Sequence, residues 1–309
     1  FLLSWLPDGA QGPQLTITKT DQVLWSSVPG AAFLAFSTAR STVKESRGFF
    51  DIQDEGLAYT DIQTLDGIES DADALVLFGR LQGAKDVSWR IRLNPIDAVQ
   101  LQLQIEVEHQ EAGEPRTRLH HACAADEKVF GFGAQFTHLN LRGRFMDVLS
   151  QEPGIGRGVQ PLTWLMNKAF GAGGDDTRSN APSPHYVTSA CQSLCLEEHV
   201  LSRFDLRPSD RIEGEVWSDR ISARLFAGET PADLIEAHTR FCGRMPALPD
   251  WIHRGAVVGM QGGTAAAQRM RRVLNEANAP IAAFWLQDWV GARKTSVGSQ
   301  LWWNWELDE

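Results

Sequence analysis

The sequence predicts a β-sandwich followed by the truncated start of a (β/α)8 TIM barrel. Three observations predict it. Strands with strictly alternating apolar and polar residues fill the first part of the chain. A capped helix and a proline-containing linker then break that pattern. After the linker, short continuous apolar runs alternate with a helix-period segment, which is the grammar of parallel β–α–β units. At 309 residues, and at roughly 100–200 residues per domain, the chain has room for about two domains.

The sandwich is assigned to residues 1–228, with strands from residue 13 onward. Its clearest strand is residues 99–108, where every odd position is apolar and every even one is Gln or Glu. A strand places successive side chains on opposite faces, so this one has a dry face and a wet face. Residues 87–93 repeat the pattern, and residues 221–225 repeat it more weakly. Half-wet strands in succession, punctuated by Gly, Pro, Asp and Asn, point to antiparallel sheets. Residues 1–7 are too short for a signal peptide and lack a basic region before the apolar run, so a cytoplasmic protein is expected. The first residue is Phe rather than Met, which suggests that the true N-terminus is missing.

Residues 229–250 read as a helix and linker. Thr230 is placed as the cap, Pro231 in the first turn, and Asp233 reaching back. Leu234, Ile235, His238 and Phe241 are assigned to one face, and Gly243 ends the helix. Residues 251–309 then read as the first βαβ unit and loop of the barrel. Residues 256–260 form a strand expected to be covered on both faces. Gly262-Gly263-Thr264 turns into a helix carrying Met270, Val273, Leu274 and Ala277 at i, i+3, i+4 and i+7. Asn278-Ala279-Pro280 stops it, and residues 281–286 form a second strand, parallel to the first. An eight-fold barrel takes ~250 residues, so the chain is expected to be an N-terminal fragment.

Net charge is -10, which argues against a nucleic-acid partner, because phosphate neutralisation needs clustered Lys and Arg. No run approaches the ~18 apolar residues of a membrane span. Of the four cysteines, Cys123, Cys191, Cys195 and Cys242, only Cys191 and Cys195 have metal-ligand spacing. No second pair completes a zinc set, so no metal and no cofactor are expected. The same pair fits two residues on one strand face.

In βα barrels, functional residues sit at the C-terminal ends of strands. Gln261 ends the first strand, and Gln287 and Asp288 end the second. Amides and carboxylates match sugar hydroxyls in fixed donor and acceptor geometry. Six of the eleven tryptophans lie between Trp251 and Trp305, and indole faces stack on sugar rings while the N–H donates. Trp285 and Trp303 are therefore candidates for a small-molecule carbohydrate pocket. Trp251 is read as a wedge between domains, and Trp302 or Trp305 as structural. A second dense region runs through Gly131-Phe132-Gly133-Ala134-Gln135-Phe136, Leu141-Arg142-Gly143 and Glu152-Pro153-Gly154-Ile155-Gly156-Arg157-Gly158. No Lys-Ser/Thr follows these glycines, so they are not a phosphate loop. Glu152 and Arg157 fit either a loop brace or a ligand contact.

Together with Trp251-Ile252, residues 260–264, Trp285-Leu286-Gln287-Asp288-Trp289, residues 295–298 and Trp303-Asn304-Trp305, these blocks resemble glycoside hydrolase family 31, the retaining α-glucosidase family. They are most similar to its bacterial sulfoquinovosidase branch. The resemblance covers residues 128–306. It implies a galactose mutarotase-like sandwich before the barrel and hydrolysis by double displacement on an Asp pair. Both Asp residues are expected on later barrel strands, beyond Glu309. The resemblance makes Gln261, Gln287, Asp288 and Trp303 substrate-binding positions. Where the branch carries an Arg, this sequence has Gln300. Gln300 donates an N–H but no charge, so either Arg293 or Lys294 on the same loop supplies the cation for a sulfosugar, or the substrate is a neutral α-glucoside.

Two other readings stand beside this one. A non-catalytic carbohydrate-binding sandwich would not need the β–α–β tail. A sugar mutarotase would use catalytic His and Glu within the sandwich. Its candidates, His120, His121 and His185, fit ordinary surface positions on alternating strands. Oligomeric state is unreadable from the sequence.

Overall fold

The alternation read from residues 87–108 becomes the centre of a sandwich-like, mostly antiparallel β-fold. The computed structural model describes residues 1–46, 48–83, 87–153, 161–170, 174–286, 293–295 and 298–300. The chain divides into two units, Phe1–Gly243 and Arg244–Glu309. In the first, the strands are β1 (Leu2–Leu6), β2 (Gln14–Lys19), β3 (Gln22–Ser26), β4 (Leu34–Ser46), β5 (Phe49–Glu55), β6 (Ile62–Asp71), β7 (Ala74–Gln82), β8 (Val87–Pro95), β9 (Gln100–Glu108), β10 (Glu114–Ala122), β11 (Val129–Gly131), β12 (Phe145–Val148), β13 (His185–Thr188), β14 (Ser193–Leu196), β15 (Ser202–Asp205), β16 (Arg211–Val216) and β17 (Arg220–Phe226). One sheet runs β12-β15-β16-β10-β4-β5 and the other β11-β13-β14-β17-β9-β8-β7-β6; β1-β2-β3 form a third.

Register explains why the odd positions matter. Ile91 pairs with Ile105, which pairs with Ile221, and all three are buried. A slip of one residue would turn every apolar side chain on β9 outward. The core is shared between sheets: Leu34, Phe36, Leu119, Phe204 and Ile212 of one pack with Leu77, Trp89, Leu103 and Leu225 of the other. Phe33 meets Trp89 edge-on at 5.6 Å. Gln100 breaks the wet-face rule and is buried. Its amide is satisfied, donating to Asp97 at 2.8 Å and accepting from Arg224 at 2.8 Å.

Charges also bind the first sheet. Arg116 is fully buried, its guanidinium 3.3 Å from the Trp217 ring centroid. It bonds Asp54 at 3.0 Å, and Arg203 reaches the same carboxylate at 3.1 Å. Burial alone would raise the Asp54 pKa; hydrogen bonds from Ser41 and Arg116 and the nearby guanidinium charges reverse it, and the net shift is downward. Removing one partner of such a pair strands a buried charge.

Four features of the first unit differ from the sequence reading. Residues 2–6 form strand β1, ahead of the expected start. Residues 161–170 form helix α1 (Pro161–Phe170) within the expected β region. Helix α2 (Pro231–Cys242) has the expected capping box between Thr230 and Asp233, but Ile235 is 53% exposed. The sheet-facing set is Leu234, Ala237, His238 and Phe241, a clean i, i+3, i+4, i+7 stripe. Ile235 falls about 100° off Leu234 around the helix and misses the sheet. Finally, Cys191 and Cys195 do not share a strand. Cys191 sits at φ 56° in the turn before β14.

In the second unit, β18 (Ala256–Met260) and β19 (Ile281–Leu286) flank helix α3 (Gly263–Glu276). The strands pair in parallel, as expected, from Ala256↔Ile281 to Met260↔Leu286. A Schellman-type ending closes α3: Asn278 takes φ 50°, Ala279 N–H donates to Leu274 at 3.0 Å and Asn278 N–H to Asn275 at 3.0 Å. The expected two-sided burial of β18 is not seen, because a single helix cannot cover both faces of a two-stranded sheet: Val257 is 47% exposed. A short antiparallel pair, β20 (Arg293–Thr295) and β21 (Gly298–Gln300), follows. Among the described residues, no helix is long and apolar enough to cross a membrane.

Candidate functional site

The strand ends locate the first candidate cluster. β18 and β19 finish in register at Met260 and Leu286, and Gln261 is the exposed residue following β18. Its strand-end position is the one expected. Gln287, Asp288, Trp303 and Arg157 lie outside the described residues. Trp285 is 66% exposed and pairs across the ladder with Gly259. A Cβ added at Gly259 would meet nothing within 4 Å, so open space lies beside that indole-bearing position.

The β20–β21 hairpin arranges the candidate cations. Arg293 is the cross-strand partner of Gln300, whereas Lys294 partners Ser299. Lys294 is exposed.

Glu152 is exposed in the first unit, and the segment leading to it is firmly held. Glu152 N–H donates to the Gly48 carbonyl at 2.9 Å, and Gln151 N–H to Ser179 at 2.9 Å. Ser150 Oγ donates to the Asn180 carbonyl at 2.9 Å. Arg178 is ion-paired to Asp147, and the Asp175 carboxylate accepts from the Thr177 amide and hydroxyl. Asp176 takes Arg144 at 3.0 Å and His138 at 2.8 Å. Sequence reasoning missed this brace. Its signal was the polar run Asp175-Asp176-Thr177-Arg178, which pairs with residues some thirty positions away and so has no local periodicity.

The histidines proposed for mutarotation are placed differently from expectation. His121 and His185 are buried, not on the surface. His121 lies between the Tyr186 hydroxyl at 2.7 Å and Gln192 Oε1 at 2.8 Å. The Gln192 oxygen only accepts, so Nε2 carries the proton and Tyr186 donates to Nδ1. Burial pushes this imidazole down to about 4, keeping it neutral. His185 is packed under α2, and His120 Nδ1 meets the Ala32 carbonyl at 3.0 Å. None of these contacts includes a catalytic carboxylate. No group of three or more His, Cys, Asp or Glu among the described residues could hold a metal ion.

No protein-family model matches the chain. Two curated relatives do. The sulfoquinovosidase of Agrobacterium fabrum is 31% identical over 303 residues, covering 95% of this chain and 42% of the relative. That of Escherichia coli is 31% identical over 299 residues, covering 94% of this chain and 41% of the relative. A solved family 31 sulfoquinovosidase from E. rectale, in complex with an aza-sugar inhibitor, superposes with a TM-score of 0.82 at 26% identity. The match covers 99% of this chain and 44% of that one. Over nearly its whole length the chain is similar to sulfoquinovosidases, one of them a glycoside hydrolase family 31 enzyme of known structure. It spans about two-fifths of the length of the curated relatives it matches. The match runs through both units: sandwich, α2, and the β18–α3–β19 segment that carries Gln261.

Proposed function

We propose that the chain is part of a retaining α-glycosidase that cleaves α-sulfoquinovosides by double displacement. The observation that carries this reading is the match, at 31% identity across 95% of the chain, to proteins named for that activity. On this reading the first unit is a mutarotase-like sandwich, and β18–α3–β19 opens a (β/α)8 barrel whose strand ends hold the sugar. Gln261, Gln287, Asp288 and Trp303 bind substrate, with Trp285 at the margin. Double displacement needs two carboxyl groups ~5 Å apart, one attacking the anomeric carbon and the other protonating the leaving oxygen. No residue between Phe1 and Glu309 is assigned to that pair.

Charge decides the substrate. A sulfonate is a permanent anion, and a charge-assisted hydrogen bond is about twice as strong as a neutral one. Gln300 lacks that charge, and on this reading Arg293, its cross-strand partner, supplies it. Lys294 pairs with Ser299 instead. Hydrolysis of α-sulfoquinovoside and α-glucoside by the intact protein tests this. The sulfosugar is expected to turn over faster. Arg293→Met should raise its KM by about 10- to 100-fold, the loss of one charged hydrogen bond, with Lys294→Met close to wild type. A preference for the glucoside would leave the glycosidase and remove the sulfosugar. Turnover of neither would remove both.

A further inference from the structure

The best-defined titratable pair in the first unit lies outside the candidate site. His185 of β13 and His238 of α2 stack face to face, with ring centroids 3.7 Å apart and planes 5° from parallel. Phe226 of β17 meets both rings edge-on, at 5.8 and 5.7 Å. His185 is buried, and its Nε2 lies 2.9 Å from the Ser193 hydroxyl of β14. His238 is half-buried, and its Nδ1 lies 3.7 Å from Cys242 Sγ. The Ser193 hydroxyl carries no charge. Other titratable or charged groups pack on this patch, Cys191 among them. The Cys195 thiol on β14 is pushed up to about 12, mainly by burial, and stays protonated. Arg224 on β17 lies 3.9 Å over the Phe241 ring and is held by Glu197 at 2.6 Å. The patch therefore offers a new cation neutral dipoles and a carboxylate already engaged by Arg224.

We propose that the His185–His238 stack is an acid-released latch. With both rings neutral it holds α2 on the sandwich. Protonation of His238, the more accessible ring, sets a positive charge against a buried neutral imidazole and frees the helix. Burial lowers the pKa of both rings, and His185 falls to about 3, with His238 as the second cause. A lowered folded-state pKa means that the released helix binds more protons than the docked one. Docking is thus complete above about 6.5, the pKa of a free imidazole, and is lost progressively as pH falls below it. Because α2 is the last element of Phe1–Gly243, its release lengthens the tether to Arg244.

Two measurements on the intact protein test the latch. By NMR, the His238 ring should titrate below 6.5. Amide protection in residues 234–241, relative to β9 and corrected for intrinsic exchange, should fall about tenfold or more between pH 7.5 and 5.0. His238→Phe keeps a flat ring in the stack and removes one of the two titrations, so protection in that variant should fall less steeply with pH than in wild type. A His238 midpoint at or above 6.5, or protection in wild type that ignores pH, overturns the latch. So does acid sensitivity that is undiminished in His238→Phe. If the variant does not fold, the wild-type titration and exchange decide alone.

Discussion

His121 shows how one residue couples the core to pH. It is fully enclosed, and each ring nitrogen has one partner, Tyr186 or Gln192. Protonation would turn Nδ1 into a donor facing a hydroxyl that already donates, in a site with no carboxylate within hydrogen-bond reach. An unfolded chain takes up a proton near 6.5, whereas this ring waits until about 4. The unfolded state therefore binds more protons between those values, and stability falls as pH drops through that window. At pH 5 the loss from this one group is about 2 kcal/mol relative to pH 7.5. Urea unfolding at the two pH values checks it. His121→Gln should be less stable at pH 7.5 but lose about 2 kcal/mol less on acidification. An identical pH dependence in the variant would place the acid sensitivity elsewhere.

Elements are set by short-range rules where these suffice, and by packing where they do not. Gly79 on β7 lies opposite Leu65, at the bulge of β6. A Cβ there would stand 2.0 Å from the Thr64 carbonyl oxygen and 2.8 Å from Trp89. Backbone and a buried ring cannot give way cheaply, so Gly79→Ala should cost about 3 kcal/mol or more. A urea midpoint within about 0.5 kcal/mol of wild type would mean that the strands part without penalty. Nothing in the sequence marks this contact, because Thr64 and Trp89 come from two neighbouring strands. By contrast, β9 and the Thr230–Asp233 box were fully legible: period-two alternation and a three-residue spacing are local signals. Ile235 was misplaced because hydrophobicity alone nominated it, while the small Ala237 takes the buried position. Helix α1 was missed because it lies inside a run of strands, and two of its apolar residues, Trp164 and Leu165, are over half exposed. At the candidate site, residue types and strand-end positions could be read from sequence. The pairing of Arg293 with Gln300 could not, because it depends on hairpin register.

At the scale of the whole chain, the two units differ in how completely they bury their apolar residues. Phe1–Gly243 closes one core across both large sheets and seals a second, smaller cluster beneath α2. Arg244–Glu309 leaves Trp285, Val273, Leu286 and Met270 at least 40% exposed. Its two parallel strands have a single crossover helix, and parallel sheets are ordinarily covered on both faces. Stability should therefore reside in the first unit. A chain ended after Gly243 should unfold cooperatively and keep its urea midpoint within about 0.5 M of the 309-residue chain, with near-native β circular dichroism. The same cut made after Gly228 removes α2 and exposes Phe226, Val187 and Cys195, the residues that Leu234 and Ala237 cover. Stripping that cluster should lower the midpoint by the equivalent of about 3 kcal/mol, two buried side chains. If both truncated chains melt alike, α2 contributes nothing to the sandwich, and its capping box and stacked histidines serve only the connection to Arg244. If the chain ended at Gly243 fails to fold, the second unit supplies stability that its exposed strands do not suggest.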